Sequence, residues 1–103
     1  MTAEDIAKYV DKSALCWTSH ILEKLFQRNI RIDDVKAALT NCEIIEQYPN
    51  DYPFPSCLVL GYTVARRVLH IVCGSNGKEL WLITAYFPNP FEWTEDFRQR
   101  RKK

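Results

Sequence analysis

The sequence predicts an α+β domain in which two to three N-terminal helices pack on a roughly four-stranded antiparallel sheet. Up to about residue 40, apolar side chains recur at the three- and four-residue spacing of helices. From about residue 57 the chain changes to runs of β-branched and aromatic residues. The pair Asn76-Gly77, a strong hairpin signal, separates two of these runs. We therefore expect a single domain of 103 residues, helical at about 3–41, with a sheet at about 43–88 and a turn and basic tail at 91–103.

Each predicted helix follows a side chain that can cap it by accepting a hydrogen bond from a free backbone N–H. The three are residues 3–11 after Thr2, residues 19–29 after Thr18 or Ser19, and residues 34–40 after Asp33. Asn29 is the predicted C-cap of the second helix. Because the link to the third helix is short, these two helices should form a helical hairpin.

The predicted strands are the β-rich runs between turn residues. They are 43–48, 57–63, 68–74 and 79–87. Three prolines within residues 49–55 predict an extended loop, and turns are expected at Ala65-Arg66 and at Ser75-Asn76-Gly77. Residues 93–98 could add a final helical turn. The helices should cover one face of the sheet, leaving the other open or partly closed by the C-terminal segment.

Composition excludes several classes of protein. No apolar run reaches the roughly 18 residues of a membrane span, and the acidic N-terminus is unlike a signal peptide, so we expect a cytoplasmic protein without a membrane partner. Four cysteines without a C-x-x-C pair predict free thiols and no metal site. Motifs for dinucleotides, nucleoside triphosphates, zinc proteases and serine hydrolases are missing, so no cofactor is expected.

The basic residues are concentrated in the C-terminal tail. Residues 98–103 hold five of the fourteen lysines and arginines, although the whole chain has a net charge of only +1. Without the tail, nine basic residues face thirteen acidic ones. The sequence allows two interpretations of the tail: a solvated, frayed terminus, or an arm that contacts phosphates.

His70 is the strongest candidate for proton transfer, because an imidazole on a sheet face has a fixed position. Its neighbours depend on the register of the following hairpin. A strict two-residue loop places His70 beside Trp81, Ile83 and Ala85, whereas a three-residue loop with a bulge places it beside Leu82, Thr84 and Tyr86. Only the second register brings an imidazole, a hydroxyl and a phenol together, and the sequence leaves both open.

Other polar residues could support a site. His20 and Arg28 are eight residues apart, about two turns along one face of the second helix. Arg66 and Arg67 flank a turn, where a pair of guanidinium groups is well placed to hold a phosphate. The structural alternative is that all four are solvated surface residues, and that His70 is a hydrogen-bonded histidine of the core.

An ordered set of short patterns over about residues 13–98 is similar to the family named domain of unknown function 4258. The patterns include Trp17-Thr18-x-His20, Arg28-x-Ile30, Pro55-Ser56-Cys57-Leu58, Leu60-Gly61-Tyr62, Leu69-His70-x-Val72, Ile83-Thr84-Ala85-Tyr86 and Trp93-x-x-Asp96-Phe97-Arg98. This family resembles the plasmid-toxin superfamily of RelE, ParE and BrnT type, whose fold places helices before an antiparallel sheet.

The resemblance implies a toxin-like endoribonuclease that cleaves RNA without a metal and is held by an antitoxin-like protein. His70, Tyr86 and His20 would then transfer protons, while Arg28, Arg66, Arg67 and Arg98 would bind the substrate phosphate. The acidic body of the chain departs from the strongly basic character of ribosome-directed toxins. The alternative is a non-catalytic module on the same scaffold that binds a protein or a nucleic acid.

Overall fold

The computed structural model describes residues 1–102 and confirms the α+β class, with three helices and a five-stranded mixed sheet. In chain order the elements are α1 (Ala3–Asp11), β1 (Leu15–Cys16), α2 (Ser19–Gln27), α3 (Ile32–Thr40), β2 (Glu43–Tyr48), β3 (Ser56–Tyr62), β4 (Val68–Ser75) and β5 (Leu80–Tyr86). The strands are ordered β1-β5-β4-β3-β2 across the sheet. The proline-rich segment 49–55 lies outside the regular elements, as expected.

Two predicted helix caps are confirmed, and the third is wrong. Thr2 and Thr18 each accept a hydrogen bond from the backbone N–H three residues later. The third helix begins at Ile32, ahead of Asp33, with Arg31 as its N-cap residue. The carboxylate of Asp34 accepts from the Arg31 N–H at 3.2 Å, so the acidic side chain supports the first turn from inside the helix.

The predicted end of the second helix is also displaced. α2 ends at Gln27 with Arg28 as its C-cap, and Asn29 follows with a φ of 58°. Asparagine tolerates this left-handed conformation better than most residues. Asn29 is therefore the residue after the C-cap, where the chain leaves the helix, and not the C-cap itself.

Strand β1 was not predicted. Its two residues pair parallel to Leu80 and Trp81 at the start of β5. Two residues carry no periodicity, so the sequence could not reveal this pairing. The sheet therefore has five strands where about four were expected, and one of its strand pairs is parallel.

One face of the sheet packs against the three helices and forms the main core. Alternate residues of the central strands contribute to it, including Val59, Leu69 and Ile71, together with Ile21 and Leu25 from α2. These side chains are at most 2% exposed. Because this face is closed, the remaining chemistry of the sheet lies on its second face and along its edges.

The C-terminal segment, residues 88–102, folds back over part of the second face. Trp93 pairs with Arg100 in an antiparallel bridge, so the segment forms a small hairpin where a helical turn had been suggested. Trp93 is 2% exposed, and Leu58 and Leu60 on the same side of β3 are equally buried. The second face is therefore partly closed by this segment, one of the two predicted outcomes.

The described part of the basic tail is neither frayed nor arranged as a free arm. Arg98 pairs with Glu43, and Arg100 pairs with Glu46 at 2.9 Å. Both acids belong to β2, which places the positive charges of the tail against the negative charges of an edge strand. Arg101 donates to the carbonyl of Pro90. Lys103 lies outside the described residues.

Among residues 1–102, none of the helices is both long enough and apolar enough to cross a lipid bilayer.

Candidate functional site

His70 and Tyr86 face the same way, as the bulged alternative required. They are direct cross-strand partners in the β4–β5 pair. The register shifts between Val72 and Cys73, where β5 has an extra residue, Ile83. Both predicted loop lengths are wrong, because the loop of the hairpin contains four residues, 76–79, and the register shift comes from this bulge within β5.

The bulge also decides which of the predicted neighbours reach His70. Thr84 and Tyr86 follow the bulge and stand on the second face, where Thr84 pairs with Val72. Leu82 precedes it and belongs to the core under the helices. The hydroxyl and the phenol thus lie on the side of the imidazole, and the leucine does not.

The imidazole of His70 has polar partners at both ring nitrogens. Nε2 lies 2.9 Å from the carbonyl oxygen of Phe97, and Nδ1 lies 3.3 Å from the phenol oxygen of Tyr86. Because a carbonyl can only accept, Nε2 carries the proton. In the neutral ring Nδ1 then accepts from the Tyr86 hydroxyl. The side chain is 0% exposed, and Trp93 meets its ring edge-on at 4.5 Å between centroids.

Burial favours the neutral form of both partners. It lowers the pKa of His70, against the opposing effects of the Phe97 carbonyl and of Glu46. It raises the pKa of Tyr86 to about 12. At neutral pH the pair is therefore an uncharged imidazole beside an uncharged phenol, held under the C-terminal segment.

An acid–base cluster lies beside this pair on the same face. The carboxylate of Glu46 accepts from the Tyr48 hydroxyl and from two nitrogens of Arg100. Burial alone would raise the pKa of Glu46, but the hydrogen bonds from Arg100 and Tyr48 hold it below its ordinary value. Arg100 also places its guanidinium 4.7 Å from the centre of the Trp93 ring. Because Arg100 belongs to the C-terminal segment and Glu46 to β2, this ion pair helps to hold the segment over His70.

Sequence reasoning missed Glu46 and did not include Trp93 among the predicted site residues. The available signal was the pairing of charges: acids in β2 and arginines in the tail. These charges could be assigned to each other only once the structure showed that the tail returns to β2.

The stability of the fold should depend on the protonation of His70. A buried histidine with a lowered pKa binds fewer protons than the unfolded chain, so the free energy of unfolding falls as pH drops below the ordinary value of about 6.5. It is fully retained above that value. We expect His70→Gln to show a weaker pH dependence between about pH 7 and 5 in urea unfolding. An imidazole titrating at or above about 6.5 in NMR spectra would contradict this assignment.

Arg28, one of the predicted phosphate ligands, contacts β5 just before Tyr86. Its Nη1 donates to the Thr84 hydroxyl at 3.1 Å and to the Ala85 carbonyl at 2.8 Å. The guanidinium therefore joins the end of α2 to the outer edge of β5. Since Thr84 and Tyr86 are two residues apart on one face, Arg28, Thr84, Tyr86 and His70 form a continuous run of polar groups across β5.

The other predicted site residues do not join this run. His20 is exposed in the first turn of α2. Arg66 is exposed in the β3–β4 turn with a φ of 69°. Arg67 lies over the ring of Phe87 at 3.7 Å, next to Tyr86 along the chain. Arg98 is engaged by Glu43. The four arginines proposed for phosphate binding therefore lie at three different places.

A second surface lies along α2 and the outer edge of β5, and we call it the α2–β5 surface. It is defined by Leu22, Phe26, Arg28 and Ile83. Phe26 is 88% exposed, Ile83 44% and Leu22 40%. Beyond Trp81, β5 has no strand on its outer side within residues 1–102. Three exposed apolar side chains thus accompany an unpaired strand edge.

Comparison with known proteins identifies a family but no characterised relative. The family model described as Domain of unknown function (DUF4258) matches residues 17–87, which is more than half of the chain. The matched residues run from two positions before α2 to the position after β5, so α1, β1 and the C-terminal segment lie outside them. No curated protein and no solved structure matches the chain.

Proposed function

The chain belongs to the family described as Domain of unknown function (DUF4258), and from that premise we propose that it is a non-catalytic module that binds a protein partner through the α2–β5 surface. The observation that carries the proposal is the state of His70, which is fully buried with both ring nitrogens occupied. Such a side chain supports the core of the C-terminal segment and has no proton position available for a substrate.

The choice of a protein over a nucleic acid follows from charge. Outside the last six residues the chain has nine basic and thirteen acidic residues. Arg98 and Arg100, which could have formed a basic patch, are paired with acids of β2. A nucleic-acid surface needs unpaired cations along one face, and the net negative charge of the body repels an extended phosphate backbone.

The chemistry of the α2–β5 surface indicates the kind of partner. Phe26 and Leu22 are one helical turn apart on α2, so they form an apolar stripe next to the edge of β5. Arg28, an exposed residue at the C-cap of α2, donates from Nη1 to the Ala85 carbonyl of β5. The matching partner segment is apolar and carries one acidic residue for Arg28, which fits the antitoxin-like protein expected from the resemblance.

Interface variants test this proposal. The protein is co-expressed with the product of each gene adjoining its own, and complexes are isolated by size-exclusion chromatography with light scattering. We expect a complex of fixed stoichiometry that Phe26→Asp and Ile83→Asp both abolish. Phe91→Asp is the matched control, because Phe91 is also 88% exposed but lies in the C-terminal segment. All three variants should stay within about 0.5 kcal/mol of wild-type stability.

Two results would overturn the proposal. One is a complex that survives both Phe26→Asp and Ile83→Asp. The other is a homodimer that these variants dissociate, which would make the occupant a second copy of this chain.

A metal-independent endoribonuclease of RelE, ParE or BrnT type is the second candidate. The run from Arg28 through Thr84 and Tyr86 to His70 favours it, because it brings a cation next to two proton-transfer groups. In this arrangement the C-terminal segment covers His70, so cleavage requires that segment to move.

Cleavage of RNA in EDTA tests the second candidate. The second candidate predicts activity from the wild-type protein, or from Trp93→Ala, in which the C-terminal segment is loosened, and loss of that activity when His70→Gln is added. Intact RNA with both proteins, across single-stranded and structured substrates, would eliminate it.

A further inference from the structure

A cavity open to solvent lies at the opposite end of β4 from His70, between α1 and the β4–β5 loop. Its volume is about 430 Å³, and its walls include Lys8 of α1, Lys12 at the C-cap of that helix and Lys78 of the loop. The backbone N–H of Lys12 donates to the Lys8 carbonyl at 3.0 Å, so the two residues lie one turn apart at the end of the helix. The cavity is therefore lined by three lysines from two separate parts of the chain.

This collection of positive charge contrasts with the rest of the body. The chain has only nine basic residues outside its last six positions, and three of them line this cavity. Asp5 is the acid in the lining. Its carboxylate accepts from the Thr2 N–H at 2.9 Å in the capping box of α1. The charge of Asp5 is partly compensated there, so the cavity is locally cationic.

The floor of the cavity supplies a hydroxyl. Tyr9 Oη and Ser75 Oγ are 2.6 Å apart, and the Gly77 N–H donates to Ser75 Oγ at 3.0 Å. When Tyr9 donates to Ser75, the serine keeps its own proton for an oxygen of a ligand. This contact also joins α1 to the end of β4, so the two sides of the cavity are held at a fixed separation.

We propose that this cavity binds a phosphate ester of about mononucleotide size. Three lysines and a serine hydroxyl match the acceptor oxygens of a phosphate group, through charge-assisted hydrogen bonds. The volume is in the range of about 300–1,000 Å³ typical of small-molecule sites, and larger than inorganic phosphate alone requires. The site is distinct from the α2–β5 surface, so its test does not depend on the proposed function.

The experiment is a titration of ¹⁵N-labelled protein with AMP, inorganic phosphate and adenosine at constant ionic strength, with sodium chloride as a parallel arm. We expect the amide signals of Gly77 and Lys78 to shift saturably with AMP and less tightly with phosphate. Adenosine and chloride should leave them in place. The triple variant Lys8→Ala, Lys12→Ala, Lys78→Ala should bind AMP at least about tenfold more weakly.

Lys36→Ala is the matched control, because Lys36 is an exposed lysine on α3 outside the cavity. It should bind AMP as the wild type does. Non-saturable shifts, equal shifts with chloride, or a triple variant with wild-type affinity would overturn the site. If inorganic phosphate bound as tightly as AMP, the proposal of a phosphate ester as ligand would be wrong and the cavity would be a simple anion site. Circular dichroism of the triple variant confirms that the comparison is between folded proteins.

Discussion

Gly61→Ala should destabilise the domain by at least about 3 kcal/mol. A Cβ atom built on Gly61 would lie 2.1 Å from the carbonyl oxygen of Ala38 and 2.7 Å from its Cα. Both contacts are with the backbone of α3, which cannot turn away as a flexible side chain can. The added methyl group therefore forces α3 off the sheet. Because such domains are stable by only about 5–15 kcal/mol, this is a large fraction of the total.

Urea unfolding followed by tryptophan fluorescence measures the effect of Gly61→Ala. Gly77→Ala is the informative comparison, because a Cβ at Gly77 meets nothing within 4 Å, although its φ is +89°. That substitution tests backbone strain alone, which costs about 1–2 kcal/mol. A Gly61→Ala protein as stable as the Gly77→Ala protein would show that α3 does not approach the sheet so closely.

The order of helices and strands could be predicted because local spacing determines it. The apolar stripe of α2 and the β-branched runs of β3 and β4 are properties of consecutive residues. The two residues of β1 have no such pattern, and their pairing depends on β5, more than sixty residues later. Local sequence patterns therefore do not predict a short strand whose partner lies far away along the chain.

The candidate site was predictable only as two alternatives. Sequence reasoning identified His70 and recognised that its neighbours depended on one residue of register. The residue that decides the register is Ile83, which forms a bulge inside β5. No glycine or turn residue stands beside Ile83, so the sequence has no signal for the bulge. The position of the basic tail was likewise unpredictable, because Glu43 and Glu46 contact Arg98 and Arg100 only in the folded chain.

The C-terminal segment should be released by Trp93→Ala. Trp93 is 2% exposed and packs edge-on against His70, so its loss removes the main apolar contact of the segment. Truncation of a buried tryptophan costs about 3–5 kcal/mol, and the two ion pairs that remain are partly exposed, so they contribute less than this apolar contact. We expect the segment to detach while the three helices and the sheet stay folded.

Detachment and global destabilisation can be separated by the behaviour of His70. When the segment leaves, the ring is exposed to water and loses the Phe97 carbonyl, so the desolvation that lowers its pKa disappears. In Trp93→Ala we therefore expect the His70 imidazole to titrate near its ordinary value of about 6.5, with faster proteolysis confined to residues 88–102. Phe91→Ala, at an 88% exposed position in the same segment, should change neither the pKa of His70 nor the rate of proteolysis.

A Trp93→Ala protein in which His70 keeps its lowered pKa would show that the sheet itself buries the histidine. The C-terminal segment would then not control access to His70, and the second face would be closed to an RNA substrate whatever the segment does.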